Sequence, residues 1–185
     1  GIEGMEDLKK TVDYIKKKVG KYIYGQDSNT LAFVIGQLLK KNKQTLAVAE
    51  SCTGGQLGEM ITTVSGSSDY FLGGIIAYAN EVKKLQLGVS EDTLAKHGAV
   101  SEQCANEMAN GCRKALKSDY ALSVTGIAGP DVVRLRMPVE PRYIGLSSKL
   151  HSFARYFNFG AEREMVRSRA CYAALEMLRR EILNI

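Results

Sequence analysis

Histidine is scarce in this chain. There are two in 185 residues, His97 and His151. The first falls in a loop segment and the second opens a late strand, so a Ser-His-Asp relay has no credible parts. Cysteine is sparse too, and Cys52, Cys104, Cys112 and Cys171 form no CxxC pair. That excludes a disulfide framework and, with so little histidine, a zinc site. Such thiols fit a reducing, cytoplasmic setting. No apolar run reaches the ~20 residues of a membrane span, and no signal-peptide pattern is seen. Ligands for a metal or redox cofactor are not visible, so none is expected. The excess of one charge is small, 25 Lys and Arg against 20 Asp and Glu. The basic residues are scattered rather than interleaved with aromatics on one element. This argues against nucleic acid and is compatible with a phosphorylated small molecule.

What is present is an ordinary globular balance, 45% apolar and 24% charged, at a length that suits one domain with some extra. Residues 1–27 read as a lysine-rich linker or lead-in, although Leu8, Val12, Ile15 and Val19 share one helical face. Residues 28–185 read as the domain. Ser28 is expected to cap a helix running to about Lys41. Strands are predicted at 45–50, 73–78 and 120–125, with helices at about 56–63, 81–87, 90–97 and 101–116. In the last of these Ala105, Met108, Cys112 and Ala115 share a face. A hairpin pair at 142–147 and 151–159 and a long helix at 161–183 complete the chain. Strands that alternate with helices predict an α/β domain, a three-layer α/β/α arrangement with a mostly parallel or mixed central sheet. Ligands in such folds bind beyond the carboxyl ends of the strands.

The most informative run is Ala49-Glu50-Ser51-Cys52-Thr53-Gly54-Gly55. It joins an apolar strand to a helix, a place where backbone N–H groups are free to receive an anion. It also supplies a hydroxyl and a thiol. Serine is a poor nucleophile until a base takes its proton. With histidine excluded, a desolvated lysine after the second strand can serve. Lys83 and Lys84 are the candidates, and Lys83 is preferred. The resulting scheme has Ser51 attacking, Lys83 accepting the proton, Tyr78 relaying it or orienting the lysine, and the amides of Thr53, Gly54 and Gly55 holding the oxyanion. Cys52 is an alternative nucleophile, but a small buried packing residue is the plainer reading. Arg163, Arg167 and Arg169, at the head of the last helix, are candidate phosphate contacts.

Several motifs agree in order and spacing with one family. Besides residues 49–55 these are Gly66-Ser67-Ser68, Tyr78-Ala79-Asn80-Glu81-Val82-Lys83, His97-Gly98-Ala99-Val100-Ser101-Glu102, Val124-Thr125-Gly126-Ile127-Ala128-Gly129-Pro130, and Phe157-Asn158-Phe159-Gly160 with Arg163. Over residues 22–183 the chain resembles the C-terminal domain of the CinA (competence/damage-inducible) proteins. The resemblance implies hydrolysis of nicotinamide mononucleotide (NMN) to nicotinate mononucleotide and ammonia. It implies Ser51 as nucleophile, Lys83 as its partner and Tyr78 close by. Glu50, Thr53, Gly54, Gly55, Asn80, Gly126, Ile127, Ala128 and Gly129 would line the substrate site. It also implies a preceding molybdopterin-binding-like domain, and a homo-oligomer is expected.

The match breaks after Asp131. The family continues there with glycines, a threonine and acidic residues, whereas this chain reads Val132-Val133-Arg134-Leu135-Arg136. Those residues can be written GTG GTA CGA CTG AGR. Shifted by one base, with a G restored in front, the run becomes GGT GGT ACG ACT GAG, or Gly-Gly-Thr-Thr-Glu. A short double frameshift would keep the length and scramble the chemistry. A segment altered in this way favours a second reading, a catalytically impaired nucleotide-binding or oligomerisation module.

Overall fold

The computed structural model describes residues 2–126, 141–160 and 162–185. The described strands form one five-stranded sheet. They are β1 (Leu46–Glu50), β2 (Phe71–Ile76), β3 (Tyr120–Gly126), β4 (Arg142–Ser147) and β5 (Ser152–Phe157). Their order is β2-β1-β3-β4-β5. The first three run parallel, and β4 and β5 each run antiparallel to the strand before. The sheet is therefore mixed, and the fold is the α/β class read from the sequence.

Residue size along β1 decides how the layers pack. Leu46 and Val48 face one side and meet α2 (Leu31–Asn42), α3 (Gln56–Thr62) and α7 (Arg163–Leu183) in the larger core. Ala47 and Ala49 face the other side, where α4 (Asn80–Leu87) and α6 (Glu102–Leu116) pack. Side chains of period two thus give one bulky face and one close-packed face. The approach of α6 is tight: a Cβ on Gly145 would stand 2.4 Å from the Ala105 carbonyl oxygen. The Ser123 hydroxyl donates to that same oxygen at 2.6 Å.

Local chemistry sets the ends of the elements. Ser90 caps α5 (Glu91–Lys96) and Ser101 caps α6, each accepting a backbone N–H through its hydroxyl. At α2 the cap is Thr30, not Ser28, because the Thr30 hydroxyl is the one that reaches the Phe33 amide. The second strand begins two residues earlier than predicted, at Phe71. Its two glycines, predicted within the strand, pair with Ala47 and Val48 inside the sheet. Ala115 is exposed rather than turned inward. Residues 2–19 form an 18-residue helix, α1 (Ile2–Val19), whose Leu8, Ile15 and Val19 are exposed. No helix among the described residues is long and apolar enough to cross a membrane.

Strand β1 lies between β2 and β3, and the chain leaves it by α3 on one face and returns through α6 on the other. The carboxyl end of β1 is therefore a topological switch point, where such sheets leave a crevice. Ser51 follows β1 directly.

Candidate active site

Ser51 and Lys83 meet at that point. The Lys83 Nζ lies 3.2 Å from the Ser51 Oγ. The serine is 7% exposed and the lysine 2%. Lys83 reaches the serine because α4 starts immediately after the loop that ends β2, and its residue 83 faces inward between exposed turns. Two main-chain oxygens complete its surroundings, Ala77 O and Tyr78 O, each 2.9 Å from Nζ. As an ammonium, the lysine donates to all three oxygens. As a neutral amine it keeps two N–H bonds to the carbonyls and turns its lone pair to the serine hydroxyl. Burial penalises the ammonium and lowers the Lys83 pKa below the ordinary lysine value of 10.5. The geometry thus suits a base.

Lys84 is engaged elsewhere. It is paired with Glu81 at 2.9 Å and Glu91 at 3.1 Å on the outer side of α4. Tyr78 is placed differently from expectation. Its contribution is the carbonyl, while its side chain is 64% exposed. No hydrogen bond of the phenol is found among the described residues. Cys52 is buried, and desolvation pushes its thiol up to about 11, the reverse of an activated nucleophile.

The turn after Ser51 is held from within. The buried Glu50 carboxylate accepts the amides of Gly55 at 2.9 Å, Leu57 at 3.1 Å and Gly58 at 2.8 Å. Glu50 therefore occupies one of the three amides expected at the oxyanion, that of Gly55, and its carboxylate turns back onto its own chain. The Gly54 amide donates to Ser51 O at 3.1 Å. Of the three amides expected at the oxyanion, only that of Thr53 has no acceptor among the described residues. The Thr53 hydroxyl is buried and likewise unpartnered among them. Its carbonyl receives Arg167 from α7, through Nη2 at 2.6 Å and Nε at 3.2 Å. Positive φ values at Gly54 and Gly55, +59° and +100°, let the chain double back there.

The family model described as CinA C-terminal domain matches residues 28–182. The chain belongs to this family. A CinA-like protein of Thermotoga neapolitana is 47% identical over 180 residues, covering 97% of this chain and 44% of the relative. One from Thermosynechococcus vestitus is 48% identical over 172 residues, covering 91% and 41%. The chain thus spans less than half the length of the curated relatives it matches. Among solved structures, a competence/damage-inducible protein from Agrobacterium tumefaciens superposes with a TM-score of 0.77 at 32% identity, covering 85% of this chain and 96% of that one. The competence damage-inducible protein A of Klebsiella pneumoniae gives 0.78 at 28% identity, covering 83% and 95%.

The remaining expected residues of this CinA domain that are described come from several elements. Asn80 opens α4 with its side chain exposed. Gly126 ends β3 and pairs with Arg142 of β4. Ile127, Ala128 and Gly129 lie outside the described residues. Arg169 donates to the Phe159 carbonyl at 2.7 Å, and Arg163 stands at the first position of α7. His97 is an exposed residue at the end of α5. Two contributors escaped the sequence reading. The Ala77 carbonyl carries no side-chain signature and was invisible. Arg142 is 1% exposed at the start of β4. Its charge acts on the Cys52 thiol, and its place beside an otherwise apolar strand run was the available signal.

Proposed function

We propose that this CinA domain is an amidohydrolase that converts NMN to nicotinate mononucleotide and ammonia. The observation that carries the reading is the buried Ser51–Lys83 pair, with two carbonyls holding the lysine. Neutral Lys83 takes the Ser51 proton as Oγ attacks the carboxamide carbon. The Thr53 amide is the donor available to the oxyanion. Lys83 then gives the proton to the leaving nitrogen, and ammonia departs from an acyl-serine. Water, deprotonated by Lys83, releases the acid and restores Ser51. The basic head of α7, with Arg163, Arg167 and Arg169, suits the substrate phosphate. A homo-oligomer and a preceding domain in the full-length protein belong to the same reading.

The test is ammonia release from NMN by the parent chain, with Ser51→Ala and Lys83→Ala alongside. Loss of at least about a hundredfold in both variants is expected for a nucleophile and its base. An active Ser51→Ala protein refutes the scheme. The altered run at 132–136 favours a second reading, an impaired nucleotide-binding module. That reading predicts NMN binding by calorimetry without turnover.

A further inference from the structure

We propose that Glu50 is a positioning residue of the dyad, gripping both the nucleophile turn and the strand end that cradles the lysine. The inference rests on the reading of Ser51 as nucleophile. Glu50 is 2% exposed and immediately precedes Ser51. Its carboxylate takes three amides of the following segment, at Gly55, Leu57 and Gly58. Those bonds close the loop from residue 50 to residue 58 around the serine. Its main-chain oxygen accepts the Ala77 amide at 2.7 Å. Ala77 in turn presents its own carbonyl to Lys83 at 2.9 Å. A single residue therefore ties the serine side of the pair to the lysine side. Charged acceptors make stronger bonds to N–H groups than neutral ones, and three such bonds on a buried carboxylate fix its geometry.

Glu50 touches no reacting atom in this scheme. It acts by keeping the Ser51 Oγ within reach of Nζ. Truncation leaves a carboxylate-sized space lined by the three amides, so a free carboxylate of matching size restores what was removed. Glu50→Gln keeps the length and one acceptor oxygen, but it turns an amide N–H₂ toward a donor and loses the charge.

The experiment measures the rate at which a fluorophosphonate labels Ser51 in the 185-residue chain, with Ser51→Ala as the control for site. Labelling does not depend on which amide is the natural substrate. Glu50→Ala is expected to label roughly tenfold to a hundredfold more slowly per folded molecule, as for a misplaced reacting group. Formate is expected to restore most of the rate, saturably, and propionate little. Glu50→Gln is expected to fall between parent and Glu50→Ala, and it decides the matter if Glu50→Ala does not fold. Parental labelling rates in the folded variants overturn the proposal. So does formate that raises the unfolding temperature without raising the rate, since that is a purely structural role. If the parent chain is not labelled at Ser51, the nucleophile reading itself fails. The clamp is then judged by the Lys83 ζ-nitrogen resonance. A titration moved by Glu50→Ala and returned by formate supports it, and an unmoved one overturns it.

Discussion

Gly111 lies in α6 where the end of α4 crosses it, far from the reacting groups in sequence. A Cβ built on it would stand 1.7 Å from the Leu87 carbonyl oxygen, 2.5 Å from its carbon and 2.9 Å from its Cα. Side-chain carbons do not approach within 3.0 Å, and the obstacle here is backbone. The end of α4 must therefore retreat by more than an ångström in Gly111→Ala. Lys83 sits one helical turn before Leu87, so the shift is passed to Nζ, now 3.2 Å from Ser51. A further ångström takes that contact beyond hydrogen-bond length. Overpacking of this kind costs about 1–3 kcal/mol. At 2–4 °C per kcal/mol for a chain of this size, the midpoint falls by roughly 2–12 °C. Misplacing a catalytic group by ~1 Å costs on the order of a hundredfold in rate. Thermal unfolding by circular dichroism and ammonia release from NMN read the two effects. Gly4→Ala, where nothing lies within 4 Å, is the matched control. A Gly111→Ala protein with parental midpoint and parental rate refutes the link between this crossing and the site.

Other outcomes follow from the same geometry. The rate is expected to rise with pH along a limb set by Lys83 and placed below 10.5, because burial disfavours its ammonium; a limb at or above that value removes Lys83 as the base. Between the two values the unfolded chain binds more protons, so stability from this group rises with pH across that window, as pH-dependent urea titrations would show. Lys84→Ala is expected to keep activity within about twofold, since that lysine is held by surface partners on the outer side of α4. Gly55→Ala is expected to lose about 1–2 kcal/mol in urea unfolding, because its φ of +100° is hostile to a side chain. Replacing residues 132–136 by Gly-Gly-Thr-Thr-Glu is expected to raise turnover of NMN, and resequencing the gene tests the same idea directly.

The layered α/β class was legible because β1 and β3 are short apolar runs between helical stripes, and because serines at 90 and 101 mark helix starts. Ser51 and Lys83 were singled out in the sequence once histidine was set aside, and the fold brings the two side chains within 3.2 Å of each other. Other features were not, for physical reasons. The start of β2 at Phe71 was missed because the glycine pair within it hides the strand's first two residues from an apolar pattern. Tyr78 carries a prominent phenol, yet the atom that meets Lys83 is its carbonyl, which every residue has. Glu50 stands in a polar motif beside Ser51 and so reads as a substrate contact. Only the fold turns it back onto the amides of its own chain. Lys83 and Lys84 are neighbours with the same chemistry, and helix phase alone separates the buried one from the exposed one.

All four cysteines are free and buried. Desolvation raises every one of them, to about 11 at Cys52 and Cys104 and about 12 at Cys112. Each is therefore a silent clock in the native state, running only when its surroundings open. The positions make the clocks distinct: Cys52 in the turn after β1, Cys104 and Cys112 along α6, Cys171 in α7. A thiol reagent with mass-spectrometric readout then reports how often the turn that carries Ser51 breathes by itself, against how often the whole domain comes apart.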